Sequence, residues 1–172
     1  MGLADDLDYS HSTANPVQGL VRWFAGTRVG GAVFSRSLRH LDDLVGRLSK
    51  GQRSAPGLLA GLSVLDVTTT GRTSGLRRTS HLIATPYDDS LALLGTNFGQ
   101  ESTPAWVFNL EADPRATVTY RSVEREVVAR AATPEETEEI FALAGEFYPG
   151  YINYRARVGA ERRIRAFVLT AT

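Results

Sequence analysis

Three segments of the chain gather side chains capable of chemistry. The first is Thr68-Thr69-Thr70-Gly71-Arg72-Thr73-Ser74-Gly75-Leu76-Arg77-Arg78-Thr79. Its two glycines allow a sharp turn that can aim successive backbone amides at one anion. Arg72 and Arg78 add forked donors suited to phosphate or carboxylate, and Thr73 and Ser74 add hydroxyls. The segment is not a Walker A loop, because it has no lysine and no helix follows it. On composition alone two readings stay open, an anion site and an ordinary polar hairpin turn.

The second segment runs from Gly95-Thr96-Asn97 to Pro104-Ala105-Trp106-Val107-Phe108-Asn109-Leu110. A glycine-bearing loop leads into a helix start, which attracts anions. Trp106 and Asn109, three residues apart, share one face of that helix. Taken alone, the pair reads as a core tryptophan and a capping or surface asparagine. The third segment, Tyr148-Pro149-Gly150-Tyr151-Ile152-Asn153-Tyr154, holds half of the six tyrosines at spacings of three. If helical, Tyr148, Tyr151 and Tyr154 form one stripe of rings with hydroxyl tips. Such a stripe suits a pocket wall for a planar ligand or an aromatic patch packed on a barrel. His11, His40 and His81 are isolated, so no metal site is assigned. No Gly-x-Ser-x-Gly elbow is present.

The elements that must position these residues follow from periodicity. Residues 16–50 read as helical, with Asn15-Pro16 as the start, Gly30-Gly31 as an interruption and Gly51 as the end. Strands are expected at 64–70, 77–85, 91–95, 117–120, 124–131 and 164–169. Turns fall at Pro86–Asp89 and Arg121-Ser122. A short helix spans 104–110, and Thr133-Pro134-Glu135-Glu136 is a capping box for a helix running to about Phe147. Strands joined mostly by tight turns argue for an antiparallel sheet or small barrel and against a doubly wound parallel fold. The expected organisation is a mobile tail at 1–14 and one domain over 15–172. Within it, residues 15–60 are helical and 63–172 form the barrel.

Composition bounds the function. The 172 residues fit a single core, and 42% hydrophobic with 22% charged residues is ordinary globular usage. Nineteen basic residues balance nineteen acidic ones, leaving no field for nucleic acid. The absence of cysteine excludes disulfides, thiolate metal sites and a catalytic thiol. Lys50 is the single lysine, so any anion site is built from guanidinium groups, amides and hydroxyls. No apolar stretch reaches the roughly 20 residues that span a bilayer, and the acidic start Met1–Asp6 is no secretory signal. A cytoplasmic location is expected. Trp23, Phe24 and the arginines around them leave a membrane-peripheral association open.

The three segments, in this order, resemble the deazaflavin-dependent nitroreductase family, small F420-binding split-barrel proteins common in actinobacteria. The similarity runs from about Trp23 to the C-terminus. Its strongest parts are Thr68–Gly75, Pro104–Pro114 and Tyr148–Tyr151. The resemblance implies an α+β, mainly antiparallel split β-barrel of the flavin-reductase type with flanking helices. It implies coenzyme F420 as cofactor, with FMN as the alternative. By motif position Arg72, Thr73, Ser74 and Arg78 would hold the phosphate end, while Thr96, Asn97, Trp106 and Asn109 would border the deazaflavin. Tyr148, Tyr151 and Tyr154 would face the substrate and help protonate it. The implied reaction is hydride transfer from reduced F420 to a quinone, nitroaromatic or activated enone.

Departures from the family pattern stand at Thr73 and Asn97, where family members carry basic residues. Arg77 and His81 stand where prolines are frequent, and Arg77 could restore one charge. Rival readings are a split barrel that only carries FMN, haem or another planar ligand, and a membrane-peripheral module. The expected partners are a small electron acceptor and no nucleic acid, with a homodimer left open.

Overall fold

The computed structural model describes residues 2–11, 62–97, 100, 102–158 and 163–172. The helical reading of residues 15–60, with its Trp23 and Phe24 stripe, lies outside the described residues. β1 (Leu65–Thr70), β2 (Arg77–Leu82), β3 (Ala84–Tyr87), β4 (Ser90–Leu94), β5 (Arg115–Tyr120), β6 (Val123–Ala131) and β7 (Ala166–Ala171) form one sheet. Their order is β2-β1-β5-β6-β7-β4-β3, and each neighbouring pair is antiparallel. The outermost strands, β2 and β3, are separated only by Ile83. One continuous run of chain therefore pairs with β1 through its first half and with β4 through its second. The sheet curls on itself as the expected split barrel. Among the described residues, no helix is long and apolar enough to cross a membrane.

Alternation with period two sorts the apolar residues into two layers. Leu65, Val67, Leu91, Leu93, Val118, Val127 and Leu169 fill the barrel interior. The next residues along β4 and β7, namely Ala92, Leu94, Ala166 and Val168, face outward into a second apolar layer. α3 (Pro134–Phe147) covers this outer layer with Ile140, Phe141 and Ala144. Its start is the expected capping box. The Glu136 amide donates to Thr133 Oγ1 at 3.2 Å, and the Thr133 amide donates to Glu136 Oε2 at 2.8 Å. α2 (Ala105–Ala112) sends Trp106, Val107 and Leu110 into the barrel core.

Three local differences from the expected elements stand out. The strand expected to end at Thr85 continues to Tyr87, with Pro86 paired to Leu91 and the turn at Asp88-Asp89. Proline is tolerated because β3 ends the sheet, where its missing N–H breaks no ladder bond. The last strand begins two residues later than expected, at Ala166.

The third concerns the N-terminal tail, where residues 2–11 are packed rather than mobile. The Leu3 amide donates to the Asp89 carbonyl at 2.7 Å, and Leu3, Leu7 and Tyr9 join the barrel core. Tyr9 Oη donates to the Ser63 carbonyl at 2.7 Å and accepts from the Ala84 amide at 3.0 Å. His11 accepts from the Ser63 amide at Nδ1, sets Nε2 against the Ala84 carbonyl at 2.8 Å, and stacks on Phe147. The polar composition of this tail concealed apolar residues at the spacing of one helical turn, in α1 (Leu3–Asp6) and just beyond it.

Thr85 stands out in the outer layer. It is 1% exposed, and its hydroxyl has no hydrogen-bond partner among the described residues. A buried unsatisfied hydroxyl costs about 1–3 kcal/mol. Thr85→Val removes that hydroxyl and keeps the shape. The variant is expected to melt a few degrees higher, as about 1 kcal/mol shifts Tm by ~2–4 °C at this chain size. A differential scan that showed a lower melting temperature would refute the orphan assignment.

Candidate functional site

The β1–β2 loop is tied down from within. The Gly71 amide donates to the Leu76 carbonyl at 2.8 Å, and the Gly75 amide donates to the Gly71 carbonyl at 2.7 Å. The Leu76 amide donates to Ser74 Oγ at 3.3 Å. Gly75 sits at φ 66, in the left-handed region where a glycine is least strained. These amides are engaged in shaping the turn, so an anion nest, one of the two readings left open, does not form from them. What the loop presents outward is side chains: Arg72, Thr73, Ser74 and Arg78 are all exposed.

Asn109 joins this loop to α2. It is 7% exposed, accepts from the Arg72 amide through Oδ1 at 3.0 Å, and donates through Nδ2 to Thr69 Oγ1 at 3.0 Å. Thr69 is fully buried because it points into the barrel beside Leu65 and Val67. The next residue back on α2, Phe108, lies under two cations. The Arg72 guanidinium carbon is 4.4 Å from its ring centroid and that of Arg165 is 5.3 Å away. Arg165 Nε also donates to Glu111 Oε1 at 2.9 Å, one turn further along α2. Its carbonyl accepts from the Gly95 amide at 2.9 Å, which fixes where the second loop begins. Gly95 is required there, since a Cβ would stand 2.9 Å from Val107 and 3.1 Å from the Arg165 carbonyl.

The structure thus brings the first two segments to one place around α2 and sorts their residues by exposure. Asn97 adopts φ 48 and donates through Nδ2 to the Ser102 carbonyl and hydroxyl at 2.9 and 3.0 Å. Thr96 is 5% exposed, with its amide on the Leu94 carbonyl. Trp106 is turned into the barrel core and meets Phe167 edge-on. Arg77 and His81 are directed elsewhere. Both stand on the outer face of β2, where Arg77 donates to Thr117 Oγ1 and His81 pairs with Asp66 at 2.6 Å. Arg77 therefore adds no charge to the loop, contrary to the expectation that it could compensate there. Phe108, Glu111 and Arg165 escaped sequence reasoning because they come from two elements distant in the chain. An arginine-rich approach to the last strand, Arg162-Arg163-Ile164-Arg165, was the one available signal.

The third segment opens a helix that was not among the expected elements, which settles the helical condition set on its tyrosine spacing. Tyr148 follows α3, while Tyr151 and Tyr154 lie on one face of α4 (Gly150–Val158). All three rings are buried in the outer apolar layer, at 4%, 5% and 2% exposure. They meet edge to face, with centroids 5.4 to 6.2 Å apart. Tyr148 and Tyr154 share a hydroxyl–hydroxyl bond of 2.6 Å, and Tyr151 Oη donates to the Ile83 carbonyl at 3.2 Å. Burial pushes the Tyr151 hydroxyl well above its ordinary value, so it is a proton donor throughout the neutral range. A Cβ on Gly150 would lie 2.3 Å from Tyr148 Cζ, so the ring folds over the one residue without a side chain.

Two substitutions test this geometry. Asn109→Ala strands the Thr69 hydroxyl and the Arg72 amide and is expected to cost about 2–3 kcal/mol. Hydrogen exchange should rise at residues 71–76 together with the fall in melting temperature; unchanged exchange there would show that Asn109 does not hold the loop. Gly150→Ala drives a methyl into the Tyr148 ring. Overpacking of this kind costs typically ~1–3 kcal/mol, measured by denaturant unfolding. An unchanged unfolding midpoint would remove the close approach.

Comparison with known proteins places the chain in a family. The family description "F420H(2)-dependent quinone reductase" matches residues 44–171. An F420-H2 dependent reductase, FDR-A, is 30% identical with a TM-score of 0.56, over 62% of this chain and 93% of that one. A second solved structure, described as a domain-swapped dimer, is 25% identical with a TM-score of 0.58, over 76% of this chain and 97% of that one. The family match spans the barrel, both loops around α2 and the tyrosine helix. The chain belongs to the F420H(2)-dependent quinone reductase family, oxidoreductases that work with the reduced deazaflavin coenzyme F420.

Proposed function

We propose that this protein transfers a hydride from reduced F420 to a quinone-type acceptor, and that the coenzyme's anionic end lies against the β1–β2 loop. The observation that carries this reading is the outward display of Arg72, Thr73, Ser74 and Arg78 from a turn fixed by the amides of Gly71, Arg72, Gly75 and Leu76. That donor set fits the group: guanidinium forks and hydroxyls match phosphate and carboxylate oxygens. Thr96 and Asn97 border the ring side, while Trp106 and Asn109 support it from behind, one in the core and one pinned to Thr69.

Bound reduced F420 supplies the hydride, which is the coenzyme's own chemistry. The chain's task is to orient the acceptor, exclude water and supply a proton. Tyr151 and Tyr154 are the proton donors of this reading, with Tyr148 positioning Tyr154 through their shared hydroxyl bond. Burial holds Tyr151 protonated, and its bond to the Ile83 carbonyl is the contact an acceptor oxygen replaces. The relative described as a domain-swapped dimer supports self-association of this chain as well.

Titration with F420 beside FMN, followed by deazaflavin fluorescence, tests the coenzyme assignment. Selective F420 binding is expected, weakened about tenfold or more in Arg72→Ala, as loss of a charge-assisted contact costs ~1.5–3 kcal/mol. Tight FMN binding with none to F420 would overturn it. Turnover of quinone, nitroaromatic and enone acceptors then ranks the substrate class. Tyr151→Phe should lower kcat for the preferred acceptor more than it changes KM, and an unaltered kcat would remove Tyr151 from proton delivery.

A further inference from the structure

We infer that Arg165 is a further cationic contact, beside Arg72 and Arg78, for the anionic tail of the coenzyme, held in reserve by Glu111 until the tail arrives. This rests on the coenzyme site proposed above and extends it to Arg165, which lies outside the three motifs.

The argument starts from Phe108. Arg72 and Arg165 come from opposite ends of the described barrel sequence, yet both guanidinium groups stand on this one ring, at 4.4 and 5.3 Å. The two charges can be no farther apart than those distances combined. An aromatic face attracts each cation and limits its rotamers, so the pair is aimed before any ligand is present. Two neighbouring cations also raise the local positive potential, which an anion relieves. Elsewhere in the first segment Arg78 is exposed and charged, whereas Thr73, Ser74 and, in the second segment, Asn97 are neutral. Arg77 is turned to the outer face, on Thr117.

Glu111 explains why Arg165 needs a ligand that is itself acidic. The pair is half exposed on both sides, with side chains 41% accessible, and exposed ion pairs contribute little to stability. A carboxylate or phosphate that bridged Arg72 and Arg165 would exchange one anionic partner of Arg165 for another and gain Arg72 as well. The Glu111 carboxylate therefore occupies the place of the incoming group and tunes how tightly that group is held. Backbone geometry keeps Arg165 in register, because its carbonyl takes the Gly95 amide at the root of the second loop.

The test compares F420 carrying its oligoglutamate tail with the deazaflavin fragment that lacks phosphate and glutamates. Binding to the full-length chain is followed by fluorescence at several salt concentrations. Arg165→Gln is expected to weaken the tailed coenzyme about tenfold, flatten its salt dependence and leave the fragment unchanged. Glu111→Gln should act in the opposite sense and tighten the tailed coenzyme severalfold, a gain that misfolding cannot produce. Equal effects on both ligands, no effect of Arg165→Gln, or weaker binding in Glu111→Gln would each overturn the inference. If the unaltered protein binds neither ligand, the coenzyme site itself falls and this inference falls with it.

Discussion

The two hydrogen bonds of Asn109 connect the barrel to its candidate site. One end of the amide reaches Thr69, fully buried on the inward face of β1, and the other takes the Arg72 amide at the start of the loop. The bond to Thr69 is buried and the bond to the Arg72 amide is part-buried, so leaving the Thr69 hydroxyl unmatched is the costlier loss. The loop therefore cannot drift from α2 without breaking a part-buried bond. Arg72 is carried with it onto Phe108, and a flexible arginine becomes an aimed one. Arg165 arrives at the same ring by a separate route, through β7 and the Gly95 amide.

The barrel depends on a different constraint, the period of two along strands that are apolar on both faces. Residues 91 to 94 of β4 alternate between the inner core and the outer layer with no polar residue among them. A strand of that kind must be covered on both sides, and the second cover is α3 with the tyrosine helix. Along the run from β2 to β3 the same alternation changes its meaning. Arg77, Thr79 and His81 meet solvent, while Ile83, Thr85 and Tyr87 on the same face lie under helices.

The tyrosines are placed by this second layer as much as by any chemistry of their own. Their rings supply apolar area, and their hydroxyls find partners in one another and in the Ile83 carbonyl. Tyrosines that are also core residues are rigid in register. Their layer also opens only at the expense of contacts that hold α4 in place. Thr85, on the same face, is the buried hydroxyl without a partner among the described residues.

Much of this was determined by the sequence alone. Strand alternation, the Thr133–Glu136 capping box and the Arg121-Ser122 turn, both of whose residues take positive φ, are local features, and local features are written in neighbouring residues. The ordered motifs Thr68–Gly75, Pro104–Pro114 and Tyr148–Tyr151 carried the family. Tertiary structure decided what each motif residue does. Asn109 and Trp106 share a helix face by spacing, but only the fold turns one into a clamp and the other into core. Docking of residues 2–11, diversion of Arg77 to Thr117, and the meeting of Arg72 with Arg165 over Phe108 all depend on contacts between distant parts of the chain. Such contacts leave no period in the sequence, because they arise when strand register and barrel closure bring separate elements to one point.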